Sequence, residues 1–312
     1  MPELKAIYAT TYANNVYNMA QQQGSLLYGH VTHIDMKGEK RTIERAHPTK
    51  AVRFEGTAGD TPNIQTKFSR RILYAHQYHW GEMLDWTEEQ GMNPIVDPTG
   101  TITMNGAYAM GRCLDEIIIS RGLNGISYEL TETGGVVSDE TPVELPASQK
   151  VAASYRDAGE SGTGNTGLTL SKLIKARSIL GKSMIPMNMP GQEVCFAVCQ
   201  SQLDDLLKSD KVQSSEYNTI RALVTGEIDT FMGFKFIKMA EDLLPLAEDG
   251  ASGVRSCFAW LRSNVVMAEP QAVSTTINTR PDKCNAWQVY SKLKAGSTRY
   301  EDGGVVKILC AE

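Results

Sequence analysis

No run of about 18 apolar residues occurs in the 312-residue chain, so no membrane-spanning helix is expected. A basic excess is also missing. The chain has 31 Lys and Arg against 36 Asp and Glu, a net charge of -5, which argues against a general nucleic-acid binder but leaves room for a locally basic face. Cysteine is sparse: Cys113, Cys195, Cys199, Cys257, Cys284 and Cys310 are too scattered for a disulfide framework, and free thiols of a reducing cytoplasm are expected. The segment Met1-Pro-Glu-Leu-Lys-Ala-Ile-Tyr has no basic stretch leading into an apolar one, so no secretory signal is expected. There is no long internal repeat and no low-complexity tail. What remains is the composition of an ordinary globular protein, 41% hydrophobic and 21% charged, long enough for one large core or two smaller ones.

Recognisable chemistry is absent as well. Gly181-Lys182-Ser183 looks like the end of a phosphate loop, but Ala176 stands where the first glycine belongs. The tripeptide also closes a helix instead of opening one, so no helix N-terminus faces a phosphate. The stretch Gly159 to Gly167 lacks the strand and the glycine spacing of a dinucleotide fingerprint, and Thr163 occupies the second glycine of a nucleophile elbow. His30/His33 and His76/His79 are three apart in segments read as strands, which turns the rings to opposite faces. Cys195 and Cys199 lie in or just after a strand without a nearby His. The adjacent carboxylates Asp204-Asp205 and Glu88-Glu89 do not face each other on a helix, as an acid/base pair would have to. Trp80, Trp86, Trp260 and Trp287 suit core or interface anchors better than a base-stacking platform. The reading is a non-enzyme with no catalytic, cofactor-binding or metal-binding residue and no cofactor.

The pattern of elements is more informative. Residues 3–23 read as a polar helix with Tyr8, Tyr12, Val16 and Met19 on one face, stopped by Gly24. So thin a stripe suits an arm lying along another surface. Residues 31–80 read as β structure with a long excursion: Val31 to Ile34 and Thr42 to Arg45 flank a turn, Gly56 to Pro62 is a turn cluster, and Phe68 to Trp80 is a strand. Between Lys37 and Arg71 nine Lys or Arg face four Asp or Glu, a local +5 in a chain of net -5. A basic, extended hairpin of this kind suits a loop laid over an acidic neighbouring subunit, with charge setting register more than affinity.

A long helix is expected over residues 99–121, between Pro98 and Gly122, with Ala107, Met110, Leu114, Ile117 and Ile118 on its buried stripe. Gly106 and Gly111 inside it suggest close packing against another backbone. Residues 123–167 read as loop-rich. Thr169 then caps a helix that Gly181 closes, Val194 to Val198 reads as a strand buried on both faces, and Ser201 caps a short helix with Leu203, Leu206 and Leu207. A helix from Ser214 to Gly226, carrying Tyr217, Ile220 and Val224, leads by a turn into the strand Gly233-Phe-Lys-Phe-Ile237. Residues 257–266 and 287–309 read as short strands with turns.

Several segments resemble the major capsid proteins of tailed bacteriophages. They are Asp97-Pro-Thr, Ala109-Met-Gly-Arg-Cys-Leu-Asp-Glu-Ile-Ile118, Leu145-Pro-Ala-Ser-Gln-Lys-Val151, Gly167-Leu-Thr-Leu-Ser-Lys-Leu173, Ser215 to Lys238, Cys257-Phe-Ala-Trp260 and Thr298-Arg-Tyr-Glu-Asp-Gly-Gly-Val-Val306. The fold so implied is α+β, that of the lambdoid Hong Kong phage capsid and of herpesvirus shells. It has an N-terminal arm (1–30), an extended β-hairpin loop (31–72), a peripheral domain (73–125) with a long spine helix (99–121), an axial domain (126–265) and closing strands returning to the peripheral domain (266–312). The resemblance implies self-assembly into pentamers and hexamers of an icosahedral head around double-stranded DNA, built in the host cytoplasm and residing in the virion. Its partners would be itself, a separate scaffolding protein, a portal and a decoration protein, with packaged DNA touched by proximity only and no membrane. The subunit-interface candidates are Lys40, Arg41, Arg45, Arg53, Arg70, Arg71, Tyr8 and Tyr12. Some relatives crosslink a loop lysine to an asparagine of the next subunit; Lys50 or Lys67 with Asn278 or Asn285 carries no such motif, and no crosslink is expected. A nanocompartment shell of the same fold and a soluble oligomeric enzyme are the alternative readings.

Overall fold

The computed structural model describes residues 21–53, 63–84, 98–133, 136–157, 162–182, 191–208, 229–247 and 253–312. The long helix α1 (Pro98–Ile117) has 20 residues, about 30 Å. Proline suits its first position because that N–H has no partner within a helix anyway. A π-helical turn, Ile118–Leu123, continues it. Met110, Leu114, Ile117, Ile118, Ile119 and Leu123 are buried, whereas Ala107, expected on that stripe, is exposed. The two internal glycines are tightly packed, on different partners. A Cβ on Gly111 would come 2.7 Å from the Cα of Gly24, the backbone contact expected; one on Gly106 would come 2.5 Å from the Trp80 ring, a side chain.

A six-stranded sheet lies at the centre. Its strands are β7 (Lys150–Val151), β8 (Val194–Val198), β9 (Thr230–Phe231), β10 (Phe234–Lys238), β11 (Val254–Leu261) and β14 (Val305–Ala311), in the order β7-β14-β11-β8-β10-β9. All five residues of β8 are buried, as its unbroken apolar run implies. On one face Phe196, Val198, Ala259, Val306 and Ile308 pack against the helices α2 (Leu170–Lys182) and α3 (Gln200–Lys208). Phe196 sits between Phe234 and Phe236, with ring centroids 5.7 and 5.1 Å away. On the other face Cys195, Ala197, Phe258, Trp260 and Val305 pack with α1 residues.

Local sequence explains how the two flanking helices start. The Thr169 hydroxyl accepts the amide of Lys172 at 3.4 Å, capping α2. Ser201 is not the cap of α3. Instead the Gln202 carboxamide reaches back to the amide of Cys199 at 3.1 Å, one half of a capping box. Lys172 is fully buried, and its ammonium donates to the carbonyls of Thr166 (2.7 Å), Gly167 (3.0 Å) and Leu309 (2.9 Å). It thereby ties α2 to the loop before it and to β14. The helix expected between Ser214 and Gly226 lies outside the described residues.

A second sheet, β1-β12-β13-β4, is built on the long ribbon of β12 (Val265–Arg280) and β13 (Ala286–Arg299), flanked by β1 (Thr32–Ile34) and β4 (His76–Leu84). These ribbon strands are 16 and 14 residues long, where short strands were expected. β1 pairs in parallel with β12 and not with the strand that follows it. The third sheet, β2-β3-β5-β6, contains β2 (Lys40–Ala46), β3 (Phe68–Tyr74), β5 (Ser127–Thr133) and β6 (Val136–Val143). Part of the region read as loop-rich is thus the β5–β6 hairpin.

The single strand expected from Phe68 to Trp80 is two strands in different sheets, broken at Ala75. There the Ala75 amide leaves the ladder and donates to Glu39 O at 2.9 Å. Gly296 permits the crossing: a Cβ on it would stand 2.8 Å from the Tyr74 carbonyl carbon and 3.0 Å from Ala75 Cα. The residues grouped as closing strands also divide, since β12 and β13 form the ribbon while β14 enters the central sheet between β7 and β11.

Candidate assembly surfaces

The basic hairpin is real at its base. β2 and β3 pair antiparallel over seven residues, from Lys40↔Tyr74 to Ala46↔Phe68. Its cations separate into two sets by burial, although the pleat puts Arg41 on the same side as Arg45. Arg45 and Arg71 point inward and are buried. Arg45 donates to Glu129 (2.7 Å) and to the carbonyl of Tyr300 (2.8 Å). Arg71 forms a two-pronged pair with Asp302 at 2.6 and 3.2 Å. Arg299, also buried, shares Asp302 at 3.1 Å and donates to the carbonyls of Leu123 and Val143. These charges are matched at hydrogen-bonding distance inside the chain, which is what buried ions need. Arg45 and Arg71, named above as interface candidates, fasten the hairpin to its own body. Burial alone would raise the Asp302 carboxyl, but the Arg71 and Arg299 guanidiniums outweigh it and hold the group below the usual carboxylate range.

Lys40, Arg41 and Arg53 are exposed and Arg70 is half-buried. Lys40 pairs with Glu140 on β6 and lies 5.7 Å from the Tyr74 ring centre. The Arg70 guanidinium is 3.5 Å from Glu44. Large apolar groups accompany these cations: Phe68 is 74% exposed and Val52 61%, and Ile64 is also exposed. Sequence reading counted the charge and missed these apolar groups, although their positions in a polar hairpin were a visible signal.

A second surface is the root of the arm. Tyr8 and Tyr12 lie outside the described residues. Residues 21–27 do not continue a helix, as the expectation to residue 23 had it, but run irregularly across α1. Gln21 donates to Asn105 at 3.0 Å and accepts from Arg112 at 2.7 Å. The buried carboxylate of Asp115 accepts the backbone amides of Leu26 and Leu27, each at 3.0 Å, and the side chains of Gln22 and Ser25. Asn105, Arg112 and Asp115 are spaced by seven and three, one face of a helix, so one stripe of α1 holds the whole root. Sequence reading placed Asp115 only within a matched segment and gave it no role.

The candidate histidines and cysteines fall as follows. His33 Nε2 donates to the Tyr28 carbonyl oxygen at 2.8 Å, and His79 meets the Tyr290 hydroxyl at 2.6 Å. All six cysteines are free. Cys195 does have a nearby histidine, contrary to expectation. His30, distant in sequence, is brought beside it, with Glu193 completing a group whose ligand atoms all lie within 4.8 Å of one another.

A central sheet between helices, a spine helix, a long ribbon and a basic hairpin together make the capsid fold of tailed phages. The chain is similar to the capsid asymmetric unit of cyanophage Pam1, with a TM-score of 0.69 at 14% identity, covering 97% of this chain and 96% of that one. It is similar to the capsid of Ralstonia phage GP4, with a TM-score of 0.68 at 13% identity, covering 97% and 94%. For Mycobacterium phage Che8 the TM-score is 0.63 at 12% identity, covering 96% of each chain. Likeness at such identity is one of fold. The sequence adds the family: residues 4–312 match the model of the phage capsid proteins, and the chain belongs to that family. It is a structural component of the virion and not an enzyme. No curated protein matches it by sequence.

Proposed function

We propose that the chain closes into pentamers and hexamers of an icosahedral head around double-stranded DNA. The observation that carries this reading is the division of the hairpin's cations. Arg45 and Arg71 anchor its base, while Lys40, Arg41, Arg53 and Arg70 stay on or near the outside with Phe68 and Val52. A hairpin held rigidly at its root, with apolar and cationic groups outward, is built to lie on another subunit. Heterologous contacts of this kind make closed rings when their rotation closes. In this reading residues 1–30 are the arm, 31–72 the extended loop, 73–125 with β12 and β13 the peripheral domain, and 126–265 with β14 the axial domain. A separate scaffolding protein, a portal and a decoration protein are the partners it calls for.

Size exclusion and negative-stain imaging of the purified chain are expected to show closed megadalton shells. Discrete small oligomers under every assembly condition would overturn the proposal. The combined variant Lys40→Glu, Arg41→Glu, Arg53→Glu is expected to cut particle yield by about tenfold, equivalent to ~1.4 kcal/mol. Its effect on the monomer's unfolding should stay within about 1 kcal/mol, since the Lys40–Glu140 pair it breaks is exposed.

A further inference from the structure

We propose that His30, Glu193 and Cys195 form a divalent-metal site of the zinc class that clips the arm root to the central sheet. His30 ends the short 3-10 turn Tyr28–His30, just after the segment that Asp115 holds. Glu193 immediately precedes β8 and Cys195 is the second residue of that strand, two positions on. The His30 Nδ1 and Glu193 Oε2 atoms are 3.2 Å apart. Nitrogen and oxygen ligands at about 2.0–2.1 Å from a tetrahedral ion would be separated by about 3.3 Å, so this edge of the site is already at ligand spacing. The Cys195 sulfur lies within 4.8 Å of both, and a side-chain adjustment of about 1 Å brings it to the Zn–S distance of about 2.3 Å.

The surroundings hold the donors in place. Trp260, the residue paired with Cys195 across β11 and β8, donates its indole N–H to the His30 carbonyl at 3.0 Å. The His30 amide donates to Leu27 O at 2.8 Å, and the Arg262 amide to Glu193 O at 3.0 Å. Glu193 has its second oxygen, Oε1, 3.8 Å from the Lys235 ammonium. A ligating carboxylate commonly keeps such an outer partner on its free oxygen, so Lys235 serves the site without occupying it. One nitrogen, one oxygen and one sulfur donor in a partly enclosed position suit zinc better than magnesium or calcium, which take oxygen. With three protein ligands, a water or an assembly neighbour completes the fourth position.

Cobalt(II) added to the chelator-treated full chain is the direct test, because it reports geometry and ligand type. One ion per chain is expected, with a sulfur-to-cobalt charge-transfer band in the near ultraviolet and visible bands of tetrahedral intensity. Cys195→Ser should abolish the charge-transfer band. Glu193→Gln, at a half-buried and partly solvated position, should keep the fold by circular dichroism and weaken cobalt binding by at least about tenfold. Absence of binding by the folded wild-type chain would overturn the proposal, as would cobalt affinity unchanged by Glu193→Gln. Shell formation is not needed for any of these readouts, so the outcome is separate from that of the assembly reading.

Discussion

Arg71 and Asp302, 231 residues apart in sequence, meet in a two-pronged ion pair of 2.6 and 3.2 Å. The pair joins the base of the extended hairpin to the turn that ends β13, and Arg299 joins the same carboxylate. The hairpin's orientation is thus fixed by the far end of the chain. Removing Arg71 leaves the Asp302 carboxylate with Arg299 as its remaining ion partner and takes away the two-pronged pair. Arg71→Ala is expected to destabilise the chain by about 3–5 kcal/mol, measured by urea unfolding of the unassembled subunit. A loss below about 1 kcal/mol would show that the pair is dispensable.

Acid should loosen the same junction. The folded-state carboxyl of Asp302 is held below its ordinary value. Its stabilisation is complete above the unfolded-state value and is lost as pH falls through the folded one, so the window lies below about pH 4. Asp302→Asn should lower stability at pH 7 and reduce the further loss below about pH 4. Equal acid losses in the variant and the wild type would assign the sensitivity to another group.

The arm root gives a local prediction. Asp115→Ala strips the partners from the amides of Leu26 and Leu27 and should cost about 2–5 kcal/mol. Gly111→Ala acts at the same place by sterics, because its Cβ would meet Gly24 backbone at 2.7 Å. Both variants should speed limited proteolysis within residues 21–27. Unchanged cleavage in both would mean that the root is held elsewhere.

Lys172 provides a test far from either surface. Replacing it with Met keeps the apolar stem and takes the ammonium away from three half-buried carbonyls, of which Thr166 O keeps the Ala311 amide. A destabilisation of about 2–4 kcal/mol is expected by thermal or chemical unfolding. Lys172→Arg should not rescue it, since a planar fork cannot replace a compact ammonium aimed at three oxygens.

What sequence disclosed depended on range. The periodic run from Met110 to Ile118 and the apolar run from Val194 to Val198 carry their own patterns, and both elements form where those patterns place them. Thr169 is likewise a cap legible from its neighbours. Pairing across the chain was not legible. Nothing local to Arg45 or Arg71 distinguishes an inward arginine from Arg41 or Arg53, because the distinction is made by Glu129 and Asp302 on distant strands. The same holds for His30 and Cys195, which become neighbours only once β8 and the arm root are in place. Ala75 looks like the middle of one strand until Gly296 brings a second sheet against it.

The place of β14 sets a clock on synthesis. This strand fills the position between β7 and β11, yet it is made 44 residues after β11 ends. At ribosomal rates of about 5–20 residues per second, one edge of β11 waits roughly 2–10 s for its neighbour. During that interval the nascent sheet exposes unpaired backbone and the apolar residues that Val306 and Ile308 later cover. The sheet is completed only after residue 311 has left the ribosome, so a chain still short of that point cannot present the finished sheet to a growing shell.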